Sequence, residues 1–208
     1  MIELTINGRN YEFGEGKTVL ECLQEVGIKV PTLCHHKALT PYGACRLCLV
    51  EVIQRGRTTI QTSCTYPASH RLEIKTDSER VKKSRNVMIE LLLARCPEAK
   101  VIQHIAEEHG VKETRFTKRN EDCFLCGLCT RMCHERMGIA AIGFVHRGPQ
   151  RKVGPPFDAA SDICQTCGAC AFICPTEKIK LEKISKKKEV PILNEFDKGL
   201  IDRAAAYI

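Results

Sequence analysis

The amino-acid sequence predicts an α+β fold in three successive parts, and three observations support it. Short segments of alternating apolar and polar residues dominate residues 1–77, which is typical of a small β-sheet. Residues 78–115 carry apolar side chains at helical spacing and are predicted to be a helical spacer. Residues 116–183 contain one four-cysteine motif twice, which brings eight thiols into a small region.

The N-terminal part opens with a predicted β-hairpin and a helix. Residues 4–13 alternate apolar and polar side chains around Asn7-Gly8, a dipeptide favoured in two-residue hairpin turns. Thr18 and Glu21 have the spacing of a helix capping box, and Gly27 is placed to end that helix. Two strands and a helix ahead of a group of cysteines indicate a β-grasp domain like that of a plant-type ferredoxin.

Four cysteines in this part have the spacing C-x10-C-x2-C-x15-C. They are Cys34, Cys45, Cys48 and Cys64. One close pair flanked by two distant cysteines is the way a β-grasp fold holds a [2Fe-2S] cluster, although the plant-type spacing differs in detail. Gly43-Ala44 precede the close pair, so backbone N–H groups can approach the sulfurs. Strands predicted at 50–53, 58–62 and 72–76 complete the sheet.

Two helices are predicted between residues 78 and 115. Ser78 is a candidate N-cap for the first helix, and Pro97 lies near its end. The predicted apolar stripe of that helix consists of Val81, Met88, Leu91 and Leu92. A second helix is predicted at about 98–109, with Gly110 as its stop.

The third part carries the most specific signal, two copies of C-x2-C-x2-C-x3-C. The copies consist of Cys123, Cys126, Cys129 and Cys133, and of Cys164, Cys167, Cys170 and Cys174. In two-cluster ferredoxins the fourth cysteine of such a run binds the other [4Fe-4S] cluster. We therefore assign Cys174 to the cluster of the first three cysteines, and Cys133 to the cluster of Cys164, Cys167 and Cys170. Gly127 and Gly168 occupy matching places, where a missing Cβ lets the backbone turn closely over the cluster.

A pair of zinc sites is the main alternative for these eight cysteines. Structural zinc usually takes two C-x2-C pairs that lie far apart, so a triple run is unusual for it. Two further cysteines lack ligand spacing. Cys22 lies in the predicted first helix, where we expect a small core residue and keep ligation as the alternative. Cys96 precedes Pro97 and is expected to have a structural role.

The segments around the first four cysteines resemble a known family. Pro31-Thr32-Leu33-Cys34, residues 43–52 and Cys64 look like the N-terminal iron–sulfur domain of the large iron–sulfur subunit of respiratory complex I. They also resemble the small diaphorase subunit of NAD-reducing hydrogenases and the iron–sulfur subunits of electron-bifurcating hydrogenases and transhydrogenases. The likeness continues through both cysteine repeats to about residue 182. The family commonly carries an additional cubane held by one histidine and three cysteines, but no cysteine lies between Cys96 and Cys123, so we expect no fourth cluster.

The resemblance implies an electron-transfer subunit with one [2Fe-2S] and two [4Fe-4S] clusters. It implies a flavin- and NADH-binding iron–sulfur subunit as one partner. The other partner is a second oxidoreductase subunit, namely a hydrogenase, a formate dehydrogenase or a transhydrogenase. Soluble ferredoxin is a further candidate partner. Electron bifurcation by the whole complex is left open. The sequence shows no nucleophile–base pair, flavin fold or nicotinamide fold, so we assign no substrate site to this chain. A free-standing ferredoxin-like carrier is the alternative.

Composition limits the compartment and the other classes of partner. The fourteen cysteines cluster at metal-ligand spacings, which indicates a reducing compartment. No signal-peptide pattern opens the sequence and no run of about 18 apolar residues occurs, so we expect a cytoplasmic protein with no membrane partner. Three oxidised clusters would contribute about −6 against the formal net charge of +7, and aromatic residues make up only 5% of the chain, so we expect no nucleic-acid partner.

Two segments are candidates for partner docking. Residues 143–162 form a longer connection than a bare ferredoxin needs, with basic side chains among glycines and prolines. This connection is predicted to be either an exposed loop or a docking insert. The tail at 184–208 opens with three lysines, and its apolar residues at 196–208 have roughly helical spacing, so a short helix could dock there on another subunit.

Overall fold

The structure is a computed structural model that describes residues 1–180, 183, 184 and 186. The chain forms two compact units. The first consists of Met1–Cys34 and Pro41–Phe124, and the second of His35–Thr40 and the described residues from Leu125 onward. The tail helix predicted at 196–208 lies outside the described residues.

A five-stranded mixed sheet forms the core of the first unit. Its strands are β1 (Ile2–Ile6), β2 (Arg9–Phe13), β3 (Leu49–Gln54), β4 (Arg57–Thr62) and β5 (Leu72–Lys75). Their order is β2-β1-β5-β3-β4. β1 is antiparallel to β2 and parallel to β5, whereas β3 is antiparallel to both β4 and β5. The parallel pairing of the first strand with the last, in the middle of the sheet, gives the predicted β-grasp arrangement.

The hairpin between β1 and β2 forms at the predicted turn. Asn7 and Gly8 have φ values of +48° and +81°, which are the left-handed values that a type I′ turn requires. The Asn7 side chain also exchanges two hydrogen bonds with Thr76, at 2.9 and 3.0 Å. This turn residue therefore joins the hairpin to the end of β5.

Helix α1 (Val19–Glu25) begins with the predicted capping box. The Thr18 side chain accepts a hydrogen bond from the Glu21 N–H, and the Glu21 carboxylate accepts one from the Thr18 N–H. Val19, Cys22 and Leu23 pack with the apolar face of the sheet. The Cys22 thiol is fully buried in this cluster, which confirms the expected core position of that residue.

Helix α2 (Glu79–Arg95) and helix α3 (Lys100–Glu108) follow the sheet. Ser78 caps α2 as predicted, since its hydroxyl accepts a hydrogen bond from the Val81 N–H. The predicted apolar stripe is wrong in part, because Leu91 is 43% exposed. The buried face of α2 consists of Val81, Arg85, Ile89 and Ala94. Val81, Arg85 and Ile89 have i, i+4, i+8 spacing, and a pattern of apolar side chains alone does not predict the arginine at the middle position.

The second unit is built from short elements. Helix α4 (Leu128–Arg131) continues directly into a π-helical turn at Met132–Arg136, and helix α5 is Ala169–Phe172. The connection at 143–162 contains an antiparallel hairpin of β6 (Gly143–Val145) and β7 (Lys152–Gly154). Across the residues that the structure describes, no helix is both long and apolar enough to cross a bilayer.

Candidate metal centres

The four cysteines of the first unit lie buried beside β3 and β4. Cys34, Cys45, Cys48 and Cys64 are each no more than 6% exposed. Leu49 pairs with Thr62 in the sheet, so Cys48 and Cys64 lie at neighbouring strand ends. The Ser63 N–H donates to the Cys48 carbonyl at 2.9 Å, which holds these two ends together.

The loop before Cys48 adopts left-handed backbone at two positions. Gly43 has a φ of +70° and Arg46 a φ of +56°. A Cβ on Gly43 would lie 3.1 Å from Cγ2 of Thr65, so the turn passes close to the segment that carries Cys64. Within this loop the Cys45 N–H donates to the Cys34 sulfur at 3.3 Å. A backbone N–H of this loop therefore reaches the sulfur of a predicted ligand, as the small residues of the loop predict.

The four thiols form two hydrogen-bonded pairs. A side-chain hydrogen bond with Cys34, together with burial, raises the pKa of Cys45. The hydrogen bond from the Cys64 thiol lowers the pKa of Cys48 to about 6, and the same contact raises the pKa of Cys64. Cys48 is thus the sulfur best stabilised as a thiolate.

This pairing fits a [2Fe-2S] cluster, since each of its two irons takes two protein ligands. Within the part of the chain that the structure describes, no three Cys, His, Asp or Glu side chains converge so as to hold a single metal ion. Four buried thiolates would repel one another, and buried charge requires compensation. The irons of a cluster provide that compensation to all four sulfurs, so the donor set and its burial fit the group.

The two cysteine repeats of the chain also repeat each other in backbone conformation. Leu125 and Thr166, which precede the second cysteine of each copy, have φ values of +59° and +54°. Gly127 and Gly168, which follow that cysteine, have φ values of +74° and +76°. A four-residue helix then begins in each copy, at Leu128 and at Ala169. The sequence repeat is therefore a structural repeat, in which each loop curls in the same way.

A cavity in the second unit collects cysteines from both copies. Its empty volume is about 330 Å³, part of it open to solvent. Its cysteines are Cys133, Cys164, Cys167 and Cys170. Cys133 lies on the π-helical turn that follows the first copy, whereas the other three belong to the second copy. The structure thus brings together the four residues that the spacing assigns to one cubane.

The chemistry of this cavity suits a positively charged group among the sulfurs. Burial raises the pKa of the Cys170 thiol to about 12, and the neighbouring Cys167, Cys133 and Cys164 add to that rise. The thiolate form is therefore unfavourable here unless cations offset the mutual repulsion. The Thr166 N–H donates to the Cys164 sulfur at 3.4 Å, which is a contact that stabilises a thiolate ligand.

The remaining predicted ligands belong to both units. Cys126 and Cys129 are buried in the second unit, and Cys174 is half-buried there, with its sulfur 3.5 Å from Oγ1 of Thr176. Cys123 is half-buried at the end of the first unit. Its carbonyl accepts a hydrogen bond from Nε of Arg95 at 2.7 Å.

Two arginines of α2 contact the backbone near cysteines, and the cysteine motifs predict neither of them. Arg95 binds the Cys123 carbonyl and pairs with Glu121. Arg85 donates to the backbone on either side of Cys48. The sequence does hold one indication that Arg85 is buried: it lies four residues after Val81 and four before Ile89, on the same face of the helix as both.

Comparison with known proteins first defines the class of the N-terminal unit. Residues 1–79 match the 2Fe-2S iron-sulfur cluster binding domain family. Together with the β-grasp sheet and the buried cysteine tetrad, this match makes the first part of the chain a ferredoxin-type domain that holds a [2Fe-2S] cluster.

Longer matches then place the chain among particular relatives. It is 31% identical over 202 residues to a subunit of the NADH-quinone oxidoreductase of Rhizobium meliloti, covering 84% of this chain and 23% of that protein. It is 29% identical over 208 residues to the HndD subunit of the NADP-reducing hydrogenase of Solidesulfovibrio fructosivorans, covering 85% of this chain and 35% of that protein. It is 30% identical over 201 residues to the alpha subunit of the NADPH-Fe(3+) oxidoreductase of Geobacter sulfurreducens, covering 85% of this chain and 24% of that protein.

A solved structure gives the same relationship. A chain in the crystal structure of NAD+-reducing [NiFe]-hydrogenase in the H2-reduced state superposes with a TM-score of 0.66 at 28% identity, covering 74% of this chain and 75% of that one. The predicted family resemblance is confirmed: the chain is related to subunits of NADH-quinone oxidoreductase and NADP-reducing hydrogenase and to a chain of NAD+-reducing [NiFe]-hydrogenase. The chain spans between about a quarter and a third of the length of these curated relatives.

Proposed function

We propose that this chain is the iron–sulfur electron-transfer subunit of an NAD(P)-linked oxidoreductase complex. It passes single electrons between a flavin- and NADH-binding subunit and a second catalytic module. The observation that carries the proposal is the cavity in which Cys133 meets Cys164, Cys167 and Cys170. In a two-cluster ferredoxin, each cluster takes three ligands from one repeat and the fourth from the other. Structural zinc sites instead use pairs of closely spaced cysteines.

In the first unit, the proposed ligand pairs of the [2Fe-2S] cluster follow the thiol contacts. Cys34 and Cys45 would hold one iron, and Cys48 and Cys64 the other, because these are the hydrogen-bonded pairs. The burial of all four sulfurs would keep water from the cluster, which favours electron transfer over exchange of ligands. The Cys45 N–H, aimed at the Cys34 sulfur, would stabilise the added negative charge of the reduced state.

The two proposed [4Fe-4S] clusters use the crossed sets. One is held by Cys133, Cys164, Cys167 and Cys170, and the other by Cys123, Cys126, Cys129 and Cys174. When bound, the clusters supply one-electron redox chemistry at iron. The residues around them hold the sulfurs in place, and the left-handed Gly127 and Gly168 let each loop turn closely.

The names of the relatives support an assembly rather than a diffusing carrier. Three are named as subunits of NADH-quinone oxidoreductase, NADP-reducing hydrogenase and NADPH-Fe(3+) oxidoreductase. We propose a second partner of the hydrogenase, formate dehydrogenase or transhydrogenase type, with soluble ferredoxin as a further partner and electron bifurcation as one mode of the whole complex. The abundance of cysteines at ligand spacing favours a reducing, cytoplasmic location.

Anaerobic affinity purification from the native cell tests this proposal. We expect the chain to bring down a flavoprotein and a second catalytic chain, with flavin and iron in the same peak of size-exclusion chromatography. A lone brown chain eluting at its own mass would replace the proposal with a free ferredoxin-like carrier. A colourless chain that contains zinc and no acid-labile sulfide would refute both.

A cysteine variant with a matched control tests the ligand assignment in the first unit. Cys45→Ser should remove the rhombic electron paramagnetic resonance signal of the [2Fe-2S] cluster and spare the cubane signals. Cys22→Ser removes an equally buried sulfur that we assign to the core, and it should leave all the signals in place. Equal loss of every signal in Cys45→Ser would contradict the proposal of separate centres.

A further inference from the structure

Arg85 is a buried cation in the middle of α2. Only 3% of the surface of Arg85 is exposed to solvent. Its Nε donates to the Leu47 carbonyl at 3.2 Å, and its Nη2 donates to the carbonyls of Leu49 at 2.9 Å and Thr76 at 3.2 Å. Its Nη1 lies 3.8 Å from Oδ1 of Asp77. The guanidinium therefore satisfies three backbone acceptors and faces one carboxylate.

Two of these acceptors flank a cysteine. Leu47 and Leu49 are the residues immediately before and after Cys48, and the side chains of both leucines are buried. The planar fork of an arginine can reach two carbonyls at once from a fixed position, which the single ammonium group of a lysine cannot reproduce. Arg85 thus clamps the backbone on both sides of the Cys48 sulfur.

The charge of Arg85 also acts on this sulfur. Burial lowers the pKa of Arg85, whereas Asp77 and the Cys48 thiolate oppose that change. An arginine remains protonated even so, because its ordinary pKa lies above 12. The Asp77 side chain is 68% exposed, so water screens its negative charge much more than the buried positive charge. A net positive potential is left beside Cys48.

We propose that Arg85 is a positioning residue that fixes the Cys48 loop and raises the reduction potential of the [2Fe-2S] cluster through its buried positive charge. The inference rests on the proposed ligation by Cys48. One-electron reduction adds one negative charge to the cluster and breaks no ligand bond. A nearby cation therefore stabilises the reduced form more than the oxidised form.

Redox titration of the holo-chain, with dithionite as the electron donor, tests the proposal. The midpoint is read from the [2Fe-2S] paramagnetic resonance signal. Arg85→Gln should make the reduction equilibrium about tenfold less favourable, a downward shift of about 59 mV for one electron. Arg85→Lys, which keeps the charge but loses the fork, should shift the midpoint less. Lys82→Gln removes the same charge from an exposed side chain of the same helix and should leave the midpoint unchanged. An Arg85→Gln midpoint equal to that of the unaltered chain would overturn the proposal.

A second variant decides the outcome if the Arg85 variants do not assemble a cluster. Asp77→Asn removes the carboxylate charge that lies 3.8 Å from Nη1 of Arg85 and keeps an oxygen that can accept the hydrogen bond from the Thr76 hydroxyl. Because water partly screens this charge, the midpoint should rise by less than the change expected for Arg85→Gln; an unchanged midpoint would overturn the proposal. Cys48→Ser separates this inference from the function on which it rests. If Cys48→Ser keeps the [2Fe-2S] signal unaltered, the ligation itself fails. If that signal is lost and the midpoints of the Arg85 and Asp77 variants do not move, only the role of Arg85 fails.

Discussion

At the scale of single residues, Gly43 is the position that lets the loop before Cys45 pass close to Thr65, beside Cys64. Its φ of +70° is costly for other residues, and a Cβ there would lie 3.1 Å from Cγ2 of Thr65. Gly43→Ala should therefore lower the free energy of unfolding by about 1–2 kcal/mol or more, and reduce the occupancy of the [2Fe-2S] site. Chemical denaturation and spin quantitation of the [2Fe-2S] signal measure the two effects.

Gly56 supplies the matched control for this substitution. It has a φ of +74°, but no described atom outside Gly56 and its two chain neighbours lies within 4 Å of the position of its Cβ. Gly56→Ala should show the conformational cost alone and retain the full [2Fe-2S] signal. Equal occupancy in the two variants would mean that the contact with Thr65 does not matter for the cluster.

Cys22 is a core cysteine whose thiol is fully buried among apolar side chains of α1 and the sheet. Burial raises its pKa to about 11, so at pH 8 only about one thiol in a thousand is ionised. Because the folded-state pKa is raised, the neutral thiol persists below about pH 9 and is lost as the pH approaches 11. Iodoacetamide at pH 8 should leave Cys22 unmodified in the native holo-chain and label it in denaturant, as read by peptide mass spectrometry. Rapid labelling of Cys22 in the native chain would contradict its core position.

At the scale of elements, α1 links the capping box to the [2Fe-2S] site. Leu20 on this helix packs with Cys48 and Cys64, and its N–H donates to the Ser63 carbonyl at 3.0 Å. Thr18→Ala removes the acceptor of the Glu21 N–H and should lower the free energy of unfolding by about 1 kcal/mol. Denaturant titration measures this loss. Thr117→Ala, in an exposed loop, should cost less than half as much, and equal losses would refute a capping role.

The elements also show which parts of the fold can be read from the sequence. The first hairpin and the cap of α1 depend on neighbouring residues, and both are confirmed. The buried face of α2 depends on packing against β3 and on carbonyls supplied from distant loops, so a search for apolar spacing selected Leu91 in place of Arg85. The β6–β7 hairpin has strands of only three residues, which is too short for alternation to be recognised.

At the scale of the whole molecule, the cysteine spacing predicts the ligand sets, but it does not predict their surroundings. The spacing rule places Cys133 with the second repeat because the repeated motif is a local property of the sequence. The thiol pairs in the first unit and the arginine contacts of α2 arise from tertiary structure, and sequence spacing carries no information about them. The ligand sets remain predictions for experiment.

Cys133 provides the sharpest test of the crossed arrangement. Although it belongs to the first repeat in sequence, Cys133→Ser should damage the cubane held by Cys164, Cys167 and Cys170. Mössbauer and paramagnetic resonance spectra should then show the loss of one [4Fe-4S] cluster with the [2Fe-2S] signal intact. Cys96→Ser, which removes a buried sulfur that we assign to no cluster, is the control. An intact second cubane in Cys133→Ser would show that each repeat binds its own cluster.

The content of iron, acid-labile sulfide and zinc in the anaerobically purified chain tests the central claim most directly. One [2Fe-2S] and two [4Fe-4S] clusters require about ten irons and about ten sulfides per chain, without zinc. That result would establish a three-cluster electron-transfer chain. About two irons and two sulfides would leave only the N-terminal cluster, and zinc in place of sulfide at the repeated motifs would contradict the account.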